Sequence, residues 1–256
     1  MLRSVRALES YRVGATDGEI GKIDDFYFDD ERWTIRYLVV DTQHFWQSAH
    51  RVLVSPLSFR EVQWDARVFQ LALTRDKIRQ SPSWDLHQPV SRQHESVFNQ
   101  YYGWGPYWDY AGAFGWGLGA APSALAVATV NAPHPEQSGD VHLHSVESLR
   151  HYKVGCTDGE LGQVVDFIVD DRTWRLRYLV LDTHMWWPKK HALVAPEWVT
   201  RISWENREVR FDLSRAAVKR APEWTPGMVI ERSYEEILHA HHGKPGHWIA
   251  AAERSH

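Results

Sequence analysis

Residues Asp17–Thr42 read DGEIGKIDDFYFDDERWTIRYLVVDT, and residues Asp158–Thr183 read DGELGQVVDFIVDDRTWRLRYLVLDT. The stretches align without a gap at a shift of 141. Over the longer windows Tyr11–Thr42 and Tyr152–Thr183 they are identical at 19 of 32 positions. Self-similarity at one fixed interval marks a tandem duplication. Past Gln43 the shift drops to 140, and Leu53-Val54, Pro56, Trp64, Arg67, Arg75, Pro82 and Trp84 then fall on Leu193-Val194, Pro196, Trp204, Arg207, Arg215, Pro222 and Trp224. The same shift continues through Glu95, Val97-Phe98, Gly103 and Trp108, which meet Glu235, Ile237-Leu238, Gly243 and Trp248. Three segments follow: a repeat with a helical and aromatic tail over 1–108, an Ala/Gly/Pro-rich linker over 109–141, and a second repeat with a helical, His-rich tail over 142–250.

Within a repeat, short runs of β-branched and aromatic residues alternate with turn signals, the pattern of an all-β fold. Thr16-Asp17-Gly18-Glu19 is a tight turn, and Asp29-Asp30 before Trp33 is the next reversal. Thr34–Asp41 then carries apolar residues on both faces, which predicts a central, covered strand. Val52–Ser55, Phe59–Trp64 and Val68–Leu73 supply further strands. Thr74 caps a short helix that Ser81-Pro82 stops. The helical tails carry the stripes Val97, Phe98, Tyr101 and Ile237, Leu238, His241.

The stretch Asp17–Thr42 resembles the barrel signature of the PRC-barrel family, named after the photosynthetic reaction-centre H subunit. The resemblance covers both repeats and extends to SVFNQYYGWGPYW, Ser96–Trp108, which is similar to the tails of stand-alone bacterial members. It implies an all-β fold with short helices, in which each repeat forms a small antiparallel PRC-type β-barrel of about six strands. It also implies a non-catalytic role. Two copies of one ancestral surface meet most simply with pseudo-two-fold symmetry, so an intramolecular pseudo-dimer is expected, and further oligomerisation is compatible with it.

Lys and Arg number 29 against 33 Asp and Glu, a balance that leads to no expectation of nucleic acid binding. The single cysteine, Cys156, faces Ala15 in the other copy, so a disulfide framework or thiolate metal site is not expected. Arg3, Arg6 and Glu9 interrupt any signal-like apolar run at the start, and a cytoplasmic setting is expected. The uncharged stretch Ala111–Val130 is long enough to cross a bilayer. Its glycines and alanines favour a flexible loop instead, so no membrane span is expected.

No catalytic, cofactor or metal residue is assigned. Asp17, Glu19, Asp25, Asp29, Asp30 and Asp41 could do acid–base work or hold a cation, but turn geometry explains them more simply. Arg36 with Asp41, and Arg177 with Asp182, are read as ion pairs between neighbouring strands. His239, His241, His242 and His247 invite a metal hypothesis. Their matched residues are Asn99, Tyr101, Tyr102 and Tyr107, so aromatic packing is the preferred reading. His50, His184 and His191 lie in or beside one loop region without a nucleophile for them to activate.

The chain carries 14 tryptophans. Trp33, Trp64 and Trp84 recur in the second repeat and are expected in the core. Trp46, Trp104, Trp108, Trp116, Trp186 and Trp187 fall in loops, where large aromatics require cover from the sister repeat or from a partner. Trp46, Trp104, Trp108, Trp186, Trp187 and Trp248 form the candidate interaction surface. The expected function is a cytoplasmic, non-catalytic binding and assembly module acting through protein–protein contacts. The alternative is an H-subunit-like accessory of a membrane electron-transfer complex, associated peripherally with it.

Overall fold

The computed structural model describes residues 1–43, 51–82, 90–104, 141–183 and 191–249. It is mostly β-sheet with a few short helices. In chain order the strands are β1 Leu2–Ser4, β2 Arg12–Ala15, β3 Gly18–Asp29, β4 Thr34–Asp41, β5 Arg51–Val54, β6 Phe59–Gln63, β7 Val68–Leu71, β8 Val90–Ser91 and β9 Val141–Ser145. The second repeat adds β10 Lys153–Cys156, β11 Gly159–Asp170, β12 Leu176–Asp182, β13 His191–Val194, β14 Val199–Ser203, β15 Glu208–Phe211 and β16 Glu223–Trp224. The helices are α1 Val5–Leu8, α2 Arg75–Arg79, α3 Arg92–Tyr102, α4 Val146–Leu149, α5 Arg215–Arg220 and α6 Arg232–His242.

The chain divides into two compact units. The first comprises Glu9–Ser145 and Arg172–Trp174. The second comprises Met1–Leu8, Val146–Asp171 and the residues from Arg175 onward. In the first unit the strand order is β5-β4-β3-β2-β7-β6, with β9 pairing β3 and β8 pairing β9. In the second it is β14-β15-β10-β11-β12-β13-β16, with β1 pairing β11. Neither ladder returns to its first strand, so each described sheet is open.

The long strands β3 and β11 organise the two sheets. Each is twelve residues long and carries register shifts at matched places, between Ile23 and Asp25 in one and between Val164 and Asp166 in the other. A bulge bends a strand and lets its two halves serve different neighbours. Gly18–Lys22 thus pairs with β2, while Lys22–Asp29 pairs with β4. The reversal after β3 is made by Asp29, whose carboxylate accepts the backbone N–H groups of Glu31 at 2.9 Å and Arg32 at 3.1 Å. Trp33 then takes a left-handed φ of 52°, matched by Trp174 at 57°. On β4 every residue from Thr34 to Val40 is buried, as two apolar faces require.

Phe26, Ile35, Leu38, Phe69 and Ile78 are buried in the first unit, and Phe167, Leu176, Leu179, Val209 and Val218 in the second. Trp33 and Trp174 are buried, and the Trp174 ring lies 5.2 Å from Phe59 and 5.8 Å from Phe69 within the first unit. Trp64 and Trp204 are half-buried. Trp224 is buried, while Trp84 lies outside the described residues. Thr74 and Ser214 cap their short helices by accepting the N–H groups of Lys77 and Ala217.

The structure departs from the sequence reading in four respects. The sheets are mixed rather than purely antiparallel, because β2 runs parallel to β7 and β10 parallel to β15. The compact units do not follow the repeats, since each sheet takes its strand β1 or β9 from the N-terminal segment of the other repeat. Arg36 pairs with Asp29 at 2.9 Å, and Arg177 with Asp170 at 3.2 Å, in place of Asp41 and Asp182. Residues 36 and 41 are an odd number apart on one strand, so their side chains leave opposite faces. Finally, Val97 and Ile237 do not join Phe98 and Leu238 in burial. The proposed linker lies outside the described residues apart from Val141, which opens β9, as does all of Ala111–Val130.

Candidate functional site

The tail helices α3 and α6 dock on a tyrosine of the sheet, Tyr37 on β4 and Tyr178 on β12. Residues spaced i, i+3, i+4 share a helix face, and this face carries Glu95, Phe98 and Asn99 in one tail and Glu235, Leu238 and His239 in the other; all six are buried. The Tyr37 hydroxyl donates to Asn99 Oδ1 at 3.3 Å, and its ring meets Phe98 edge-on at 5.2 Å. The Tyr178 hydroxyl donates to Glu235 Oε1 at 2.8 Å and lies 3.2 Å from His239 Nε2. One hydroxyl hydrogen serves one acceptor at a time, so Glu235 and His239 share it.

The remaining tail contacts are also matched. The Tyr101 hydroxyl donates to the carbonyl oxygen of Lys77 at 2.7 Å, and His241 Nε2 donates to the carbonyl oxygen of Ala217 at 2.9 Å. Lys77 and Ala217 are equivalent at the shift of 140, so an imidazole replaces a phenol in one docking contact. Both helices end in a left-handed glycine, Gly103 at φ 75° and Gly243 at φ 62°.

The second tail differs in its histidines. His239 Nδ1 donates to the carbonyl oxygen of Pro245 at 2.9 Å, and its ring lies 5.0 Å from both Trp198 and Trp248. Burial lowers its pKa. Burial, reinforced by neighbouring cationic groups, pushes His242 down to about 4 and His247 down to about 3. These rings are therefore neutral near pH 7. Burial also raises the Tyr178 phenol, with Glu235 adding to the effect. Glu235 is held by Arg232 at 3.0 Å, whose guanidinium lies 4.2 Å from the Trp248 ring centre.

Among the described residues no group of three or more His, Cys, Asp or Glu side chains is placed to hold a metal ion. No helix among them is long and apolar enough to cross a membrane. A shallow depression of about 240 Å³ is lined by Arg201, Ser203, Asn206, Glu208 and Arg210. The matched residues of the first repeat are Glu61, Gln63, Ala66, Val68 and Gln70, so its charge pattern is not repeated.

Of the candidate tryptophans, Trp104 and Trp248 are half-buried against their own tails. Trp104 stacks on Tyr102 at 4.5 Å, and Trp248 packs on His239 and Arg232. Trp46, Trp108, Trp186 and Trp187 lie outside the described residues, as do Trp116, His50 and His184. His191, on β13, lies 6.2 Å from the Trp224 ring. The docking roles of Tyr37 and Tyr178 were not read from the sequence. The available signal was an acidic residue, Glu95 or Glu235, kept at one helical position in both repeats. Surface exposure stands at other positions: Val97 is 53% and Ile237 61% exposed, equivalent residues on the outer faces of the two helices.

Compared with known proteins, the chain matches no family model, and no curated protein matches it. Sequence and structure together define a tandem-repeat, β-rich protein whose two sheets each carry a docked helical tail.

Proposed function

We propose that this chain is a non-catalytic binding and assembly module built from two PRC-type barrels and acting through protein–protein contacts. The observation that supports this reading is the matched exposure of Val97 and Ile237. Each tail helix buries a Glu and an apolar residue against its sheet and leaves a β-branched side chain outward at the same position. A single exposed apolar residue is ordinary. Its recurrence on two equivalent helices is what favours a shared contact function. The pseudo-two-fold relation belongs to the same proposal, supported by the reciprocal way in which each sheet takes a strand from the other repeat.

Photo-crosslinking residues placed at 97 and 237 in the native cell test the reading. Recurrent crosslinks from both positions to one partner protein support it. Crosslinks confined to small molecules, or absent from both positions in folded protein, count against it.

A further inference from the structure

We infer that the N-terminal strand is exchangeable between chains, so that a second copy of this chain is a partner for the edge that β11 offers to β1. The first observation is one of register. Leu2, Arg3 and Ser4 face Asp170, Val169 and Ile168 on β11. Leu143, His144 and Ser145 face Asp29, Phe28 and Tyr27 on β3. These are the same pairs at a shift of 141.

The anchoring chemistry repeats as well. Ser4 donates to Asp166 and Ser145 to Asp25, while Arg3 donates to Asp171 at 2.7 Å and His144 Nε2 lies 3.1 Å from Asp30. In the second unit the docked segment gains a further tie, since the N-terminal amine lies 2.5 Å from Asp171 Oδ1.

The third observation is the hinge. The second unit's N-terminal segment ends at Leu8, and the first unit begins at Glu9. Ser10 has a left-handed φ of 66°, and its N–H donates to the carbonyl oxygen of Ile23; His151 has φ 70°, and its N–H donates to Val164. The chain thus has no slack between the strand it donates and the sheet it enters. A short, conformationally constrained hinge favours donation of a segment over its return to the parent repeat. Because β11 meets the same side chains whichever chain supplies β1, only effective concentration distinguishes the internal exchange from an intermolecular one.

The test uses the full chain carrying Leu2→Cys and Asp170→Cys, which occupy facing positions, with Cys156→Ala supplying the residue found at the matched Ala15. The protein is unfolded, refolded at several concentrations and then oxidised. Disulfide-linked dimers are expected, their ratio to linked monomer rising about tenfold for a tenfold rise in concentration while dimer is scarce. Intramolecular linkage alone at every concentration would overturn the inference. Should the cysteine variant fail to fold, two differently tagged wild-type chains refolded together provide the second measurement. Mixed dimers that purify on either tag, and whose yield falls several-fold when both chains carry Arg3→Ala and Ser4→Ala, are expected. Single-tag species only, or mixed dimers indifferent to those substitutions, would refute it.

Discussion

Ser4 donates its hydroxyl hydrogen to Asp166, a residue 162 positions further along the chain, and the same carboxylate accepts the backbone N–H of Arg6 at 3.0 Å. Ser4 Oγ in turn accepts the N–H of Ala7 at 3.1 Å, so a carboxylate of the second repeat organises the first helical turn of the chain. Ser145 repeats the contact with Asp25 in the first unit. The N-terminal segment of each repeat is therefore structural material for the sheet built mainly from the other.

Ser4→Ala should cost roughly 1–2 kcal/mol through the lost cap and hydrogen bond. The location of the effect is the sharper expectation. Hydrogen exchange should accelerate in β11 and α1 and leave β3 unchanged, whereas Ser145→Ala should do the reverse. Acceleration in β3 on changing Ser4 would contradict the observed pairing.

Removing the Asp29 carboxylate with Asp29→Ala should be the more damaging of the two equivalent changes. Asp29 and Arg36 have side-chain exposures of 3% and 4%, and the aspartate also holds the turn at Glu31 and Arg32. Removing one partner of a buried ion pair costs roughly 3–5 kcal/mol. Asp170→Ala, whose ion pair is more accessible, should cost less. Denaturant midpoints of the two variants check the order.

Gly21→Ala and Gly162→Ala should each destabilise by several kcal/mol, on the order of an overpacked core substitution. A Cβ at either position would overlap the carbonyl oxygen of Asp41 or Asp182, both main-chain atoms within the paired sheet. A Cβ at Gly18 or Gly159 would meet only the Arg75 or Arg215 side chain at 3.4 Å or more, so for Gly18→Val and Gly159→Val the strain of a β-branched residue at φ 143° and 128° is the expected cost. Thermal melts should show the loss greatest at Gly21 and Gly162 and still measurable at Gly18 and Gly159.

Acid should weaken the second tail. His239, His242 and His247 have pKa values below the ordinary 6.5, the latter two at about 4 and about 3. Between those values and 6.5 the unfolded chain binds more protons than the folded one, so stability rises with pH across this window. It is fully present above about pH 6.5 and declines as pH falls toward 4. Protection factors of the α6 amides, which refer each exchange rate to the intrinsic rate at that pH, should fall between pH 7 and pH 5, and His242→Tyr, which installs the residue of Tyr102, should reduce the pH dependence. Equal protection factors at both pH values would contradict the burial assigned to these rings.

Legible in the residues alone were the duplication, the turns at Asp17-Gly18 and Asp29–Trp33, the largely covered strand Thr34–Asp41 and the capped helix after Thr74. Each is a local signal, carried by side-chain period or by a residue suited to a turn. Local period also contained the correction to Arg36, because five positions along a strand place Asp41 on the opposite face. Which face of α3 and α6 docks required the sheet, since Glu95 and Glu235 are charged residues whose burial follows from packing against β4 and β12. The exchange of β1 and β9 is visible only in the folded chain. Asp25 and Asp166 are equivalent positions of β3 and β11, and Ser145 and Ser4 make the same contact with them. This serine–aspartate contact therefore does not tell the sheets apart, and the choice falls to the contacts around it and to chain connectivity at the hinges beside Ser10 and His151.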